Sequence, residues 1–124
     1  MKRIVLALLA SCFISAPAMA QNAAQVSSAQ NGANCPRCNL FQADFNNRTL
    51  KNRNFAGANL TNANFVGAYL ERANFKGAIL SGVNFSGAEM GSAIGLTQRQ
   101  LDKTCGDEAT ELPRGLRIPV CVVH

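Results

Sequence analysis

The chain has 124 residues, a formal net charge of +5, five cysteines, one tyrosine and one histidine. That length suits one domain, and a mild positive charge with Tyr69 as its lone outward ring is a poor footprint for nucleic acid. The sole histidine, His124, is the last residue, so no acid–base partner is at hand for a serine or cysteine nucleophile.

Taken in chain order, Lys2 and Arg3 give a positive start, Ile4 to Ile14 an apolar run and Ala18-Met19-Ala20 a small-x-small cleavage site. These are the parts of a secretory signal peptide over residues 1–20, with the mature chain starting near Gln21. The apolar run is too short to span a membrane. A rival reading takes Leu9-Ala10-Ser11-Cys12 as a lipoprotein motif with a lipid on Cys12. It leaves a truncated apolar core, and the site downstream is better. Without the leader, ten Lys/Arg face seven Asp/Glu, a net of +3, spread along the chain. Four cysteines remain in an exported protein, periplasmic or secreted, and an even number in an oxidising compartment favours disulfides.

Gln21 to Asn34 is rich in Gln, Asn, Ala and Ser and has no aromatic residue, so residues 21–34 read as a flexible leader. Cys35-Pro36-Arg37-Cys38 follows. As chemistry, C-x-x-C is the thioredoxin-type redox motif, but that motif requires a βαβ context, which nothing here supplies. The plainer reading is a structural clip at the head of the next segment; metal binding or unpaired thiols are remoter alternatives.

From Asn39 to Ser92 one large apolar residue returns every five positions: Leu40, Phe45, Leu50, Phe55, Leu60, Phe65, Leu70, Phe75, Leu80, Phe85 and Met90. A small residue lies two positions before most of them, as at Ala43, Ala58, Ala63, Ala68, Ala73, Ala78, Val83 and Ala88. A polar one lies directly before, often asparagine, as at Asn54, Asn59, Asn64, Asn74 and Asn84. A period of five is neither helical nor that of a strand, and fixed repetition points to a solenoid. Two positions after the apolar residue comes Gly or Asn in eight of eleven units, the residues that tolerate the positive φ of a type II turn. A turn of one hand in every unit makes a coil, with the small and large apolar residues inside.

These residues resemble the pentapeptide-repeat family, whose pattern is A-(D/N)-(L/F)-x-x; Ala58-Asn59-Leu60, Ala63-Asn64-Phe65 and Ala73-Asn74-Phe75 match it in full. The resemblance implies an all-β fold, a short right-handed quadrilateral β-helix over residues 35–92 with four units to a coil. The alternation of Leu and Phe fits an even-sided coil independently: Phe45, Phe65 and Phe85 stack on one wall, Phe55 and Phe75 on the opposite one. Leu40, Leu60 and Leu80 form a third wall, and Leu50, Leu70 and Met90 a fourth. Best known in the family are DNA mimics that bind gyrase. Mimicry needs a long negative surface, and this chain is short, slightly positive and exported, so that function does not transfer.

The first coil departs from the pattern. Arg48 and Arg53 occupy small inward positions, with Lys51 between them. Either the side chains pass the open edge of an incomplete coil into water, or the three cations form an anion-binding corner. Residues 93–124 read as a cap. Leu96 to Gly106 predicts one short helix with a Thr97/Gln100 capping box, Leu96 and Leu101 covering the last layer. Leu112-Pro113-Arg114-Gly115 predicts a turn, and Ile118 to Val123 a β-branched strand carrying Cys121. This tail resembles the closing segment of some secreted bacterial members of the family.

The outward carboxylates Asp44, Glu71 and Glu89 are too scattered to act as a pair, and the glycines serve turns rather than a phosphate loop. No catalytic residue, metal or cofactor is expected. Of the three pairings open to four cysteines, Cys35–Cys38 and Cys105–Cys121 are expected, because the stack stands between the two sets. The expectation for function is a non-catalytic exported module whose flat polar walls meet a protein, glycan or envelope component. The alternative is a thiol–disulfide protein using Cys35 and Cys38.

Overall fold

In the computed structural model the described residues are 22–122. The expected signal peptide, the alternative lipid site at Cys12, and His124 lie outside them.

A large apolar residue every fifth position forces the chain to present it inward, turn and present the next. The resulting layers are joined by parallel bridges Asn39–Asn59, Asp44–Asn64, Thr49–Tyr69 and Asn54–Asn74, each repeated one layer up by Asn59–Ile79, Asn64–Asn84, Tyr69–Glu89 and Asn74–Ile94. A register of twenty residues and a bridge every five make four walls per coil. The sides are single bridges rather than extended strands. Phe45 N–H donates to the Asn64 carbonyl one layer on at 2.7 Å, while Asn59 N–H donates back to the Cys38 carbonyl at 2.9 Å. Between sides a turn closes through bonds such as Ala58 N–H to the Phe55 carbonyl, 3.0 Å.

The corner residue is left-handed at the expected Gly and Asn positions and also at Arg37 (φ 57°), Gln42 (φ 59°) and Arg72 (φ 57°). The stacking register imposes the conformation even where the side chain opposes it. Asparagine earlier in the unit has its own role. Asn54 Oδ1 accepts from Ala56 N–H, Asn64 Oδ1 from Val66 N–H and Asn74 Oδ1 from Lys76 N–H, each at 2.9 Å. The side chain thus satisfies a corner amide and fixes the turn.

Inside, Phe45, Phe55, Phe65, Phe75 and Phe85 are fully buried, as are Leu60 and Leu70, with Leu80 nearly so. Phe65 stacks on Phe45 at 4.8 Å and on Phe85 at 5.4 Å, and Phe55 stacks on Phe75 at 5.5 Å. The two columns meet edge-to-face, Phe55–Phe65 at 5.9 Å and Phe65–Phe75 at 6.0 Å, the favourable geometry for ring quadrupoles.

Both ends differ from the sequence expectation. Residues 21–34, read as a flexible leader, contain helix α1, Ala23–Gln30, with Val26 and Ala29 buried in the core cluster. Asn22 caps its start by accepting from Gln25 N–H. Its end is a Schellman motif: Gly32 N–H donates to Ala29 and Ala33 N–H to Ser28, both at 3.0 Å, with Gly32 at φ 91°. Small residues let the helix lie close on the first coil, and two glutamines finish the edge. Gln25 Oε1 accepts from Asn39 N–H at 2.8 Å, and Gln30 Nε2 donates to the Asp44 carbonyl at 2.7 Å. Composition alone undercounted these backbone-edge contacts.

At the other end the coil does not stop at residue 92. Bridges Asn84–Cys105 and Glu89–Glu111 carry it on, with extra residues accommodated in an out-loop. That loop holds helix α2, Gln98–Leu101, with the expected Thr97/Gln100 capping box. It is shorter than the predicted span because the chain rejoins the coil at Cys105, and Gly106 lies in the ladder rather than stopping the helix. Leu101 is fully buried and Leu96 packs against the core. The predicted strand from Ile118 reduces to one bridge, Gly106–Val120, and Val120 and Val122 are each 73% exposed. The fold therefore has two helices among the described residues, not one.

Candidate functional site

The cysteines lie at the two ends. Cys35 and Cys38 are joined, with Cα atoms 5.4 Å apart, and both are buried in the core cluster. Cys105 and Cys121 are joined at 4.7 Å, closing a separation of sixteen residues and laying the tail over the wall of Asn84 and Ser86.

The three cations of the first coil do not converge. Arg48 is exposed, and its Nη1 donates to the Gln30 carbonyl at the C-terminus of α1, 3.3 Å. Arg53 is half-buried against the same helix end: a Cβ on Gly32 would lie 3.0 Å from its Nη2. Cations there complement the unpaired carbonyls and negative pole of a helix. Lys51 instead pairs with Glu71 at 2.8 Å on an exposed wall. This hydrogen-bonded ion pair raises the Lys51 pKa and lowers that of Glu71. The anion corner is thus divided between a helix end and a surface ion pair. Alanine is absent at positions 48 and 53 because helix α1 has to be received there.

Sequence reading missed the residues that finish the open edges. Gln25 and Gln30 do so below, and above Gln100 Nε2 donates to the Phe75 and Ala78 carbonyls at 2.9 and 3.0 Å. Thr110 Oγ1 donates to the Phe85 carbonyl at 2.9 Å. Amide side chains beside a repeat were the available signal. Asp107 was missed as well. Its carboxylate accepts from Gly87 N–H and Ala109 N–H, each at 3.0 Å, and those bonds, Gly87 first, hold its pKa below the ordinary value.

The walls themselves are unequal. The wall of residues 39–42, 59–62 and 79–82 has no carboxylate, whereas the opposite one carries Glu71, Glu89 and Glu111. On the first wall the column Asn39, Asn59, Ile79 ends in an isoleucine 51% exposed. Among the described residues no three His, Cys, Asp or Glu side chains gather as metal ligands, and no helix is long and apolar enough to cross a membrane.

The family profile described as pentapeptide repeats matches residues 54–91, in eight copies. Among solved structures, the chain is similar to a pentapeptide repeat protein from the Arabidopsis thaliana thylakoid lumen, at 24% identity and TM-score 0.40, covering 66% of this chain and 56% of that one. It is also similar to a pentapeptide repeat protein (Rfr23) from the cyanobacterium Cyanothece 51142, at 26% identity and TM-score 0.27, covering 58% of this chain and 55% of that one. The chain spans little more than half the length of either. No curated protein sequence matches it.

Proposed function

We propose that this chain, whose residues 54–91 match the pentapeptide-repeat profile, is an exported, non-catalytic recognition module whose walls meet a protein, glycan or envelope component. The observation that carries the reading is the columnar wall. Bridges at every fifth residue hold outward side chains at a fixed layer spacing of about 4.8 Å. A surface ordered before binding loses little entropy on contact, which favours recognition. Export rests on the residues Lys2 to Ala20 of the leader. The right-handed coil of the family is part of the same reading.

In this account the four cysteines are clips. Cys35–Cys38 fixes the seat of α1, and Cys105–Cys121 holds the tail across the last layer. Cys35 is 3% and Cys38 9% exposed, so an attacking thiolate has no open approach while α1 is in place. That burial favours the clip over a thiol–disulfide function.

The test is capture from an envelope fraction with the mature, disulfide-bonded protein. A specific partner retained by the wild type, and lost when outward residues of one wall are replaced, supports the reading. Retention by every wall variant contradicts it. Intact mass of the exported chain should begin near Gln21; a diacylglyceryl group on Cys12 would place the protein on a membrane instead.

A further inference from the structure

Between the third coil and α2 lies a groove of about 210 Å³, with Ala78, Ile79 and Leu80 as its floor and Thr97, Arg99 and Lys103 on its rim. Sites for cofactors and other drug-sized molecules usually measure roughly 300–1,000 Å³. This one is smaller and suits a single large side chain. Its floor is apolar where the column is otherwise amide: Asn39 and Asn59 occupy the layers below Ile79. Gln100 fixes α2 against the floor by donating to the Phe75 and Ala78 carbonyls, so the groove is preformed.

Charge selects the partner. Arg99 in α2 and Lys103 just past its end are exposed, and neither forms an ion pair among the described residues. The wall beneath them has no carboxylate. The acid of α2's own end, Asp102, accepts from Gln98 Nε2 at 2.8 Å, on the side where Gln98 also bonds the backbone of Arg117. The field at the groove mouth is therefore positive, and Glu71, Glu89 and Glu111 stand on the opposite wall.

We propose that this groove receives one large apolar side chain of an acidic peptide segment, whose flanking carboxylates lie on Arg99 and Lys103. The proposal rests on the wall-recognition reading above and names the partner's chemistry for one wall. Buried apolar anchors ringed by polar contacts carry most of the binding at protein interfaces, and a charged rim guides approach and register.

The experiment is an amide NMR titration of the mature, disulfide-bonded protein with the blocked peptide Asp-Glu-Leu-Asp-Glu to millimolar concentration. Shifts at Ile79, Ser81, Arg99 and Lys103 are expected, weakening as salt is raised. Ile79→Asn, which places in the third layer the residue that the lower layers already have, should weaken binding about tenfold with an otherwise unchanged spectrum. The double variant Arg99→Glu with Lys103→Glu should abolish it. Absence of shifts at the groove, equal binding of Lys-Lys-Leu-Lys-Lys, or the same shifts with octanoate would each overturn the proposal. So would an envelope partner retained equally by Ile79→Asn, an outcome that leaves recognition by the other walls standing.

Discussion

Phe65 is the most constrained residue of the core. It stacks on Phe45 and Phe85 and meets Phe55 and Phe75 edge-on. Phe65→Ala should cost about 3–5 kcal/mol by chemical denaturation, whereas Asn46→Ala, on the exposed face, should change stability by less than about 0.5 kcal/mol. Equal losses would contradict the coil. Corner glycines allow a finer test. Gly77 (φ 68°) and Gly95 (φ 79°) share the left-handed conformation, but a Cβ at Gly77 meets nothing, while one at Gly95 lands 2.7 Å from the Lys76 backbone of the layer below. Both alanine variants should lose roughly 1–2 kcal/mol to backbone strain, and Gly95→Ala should lose more. Similar losses would mean that the layers are not in this register. Asp107 supplies the pH dependence. Its folded pKa lies below the unfolded value near 3.9, so its contribution is present above that value and lost as pH falls through the folded pKa. Thermal melts of Asp107→Asn should fall below wild type at neutral pH and converge with it in acid. A gap unchanged down to low pH would contradict the bonds from Gly87 and Ala109.

At the scale of elements, the lids decide what survives in solution, because an open coil end leaves a row of unpaired backbone groups. Helix α1 closes the lower end through Val26, Ala29, Gln25 and Gln30. Its termination at Gly32 combines a left-handed backbone with close approach of Arg53. Gly32→Ala should therefore destabilise by about 1–2 kcal/mol, and faster hydrogen exchange should appear first at Asn39, whose N–H is bonded by Gln25. A variant as stable as wild type would mean that α1 is not a lid. These elements were the least legible in the sequence. An eight-residue helix with two buried residues has no strong periodicity, and its stability comes from the coil it covers. Asn22 and Gly32 did mark its ends. The fivefold repeat was legible because most units restate parts of one rule, the small inward residue, the Asn that bonds the corner amide and the turn, around a large buried apolar residue that every unit has. What it could not announce was Gln42 or Arg72 in the left-handed region, since the neighbouring layers impose that conformation.

For the whole molecule, the cation corner and the groove show why site reading from sequence fell short. Arg48, Lys51 and Arg53 are close in the chain, yet Lys51 turns to Glu71 twenty positions on while the arginines serve α1. Ile79 and Arg99 are distant in the chain and line one recess, because an out-loop brings α2 back over the third coil. Coil geometry places residues five apart on different walls and residues twenty apart in one column, so local clusters are the wrong unit to read. If the walls recognise a partner and the cysteines only hold the ends, the Cys35–Cys38 pair should resist reduction. The decisive measurement is its reduction potential, equilibrated in defined thiol–disulfide buffers and read by mass after alkylation. A clip buried under α1 should lie below about −300 mV; a value in the range of roughly −120 to −270 mV, typical of oxidoreductases, would contradict it.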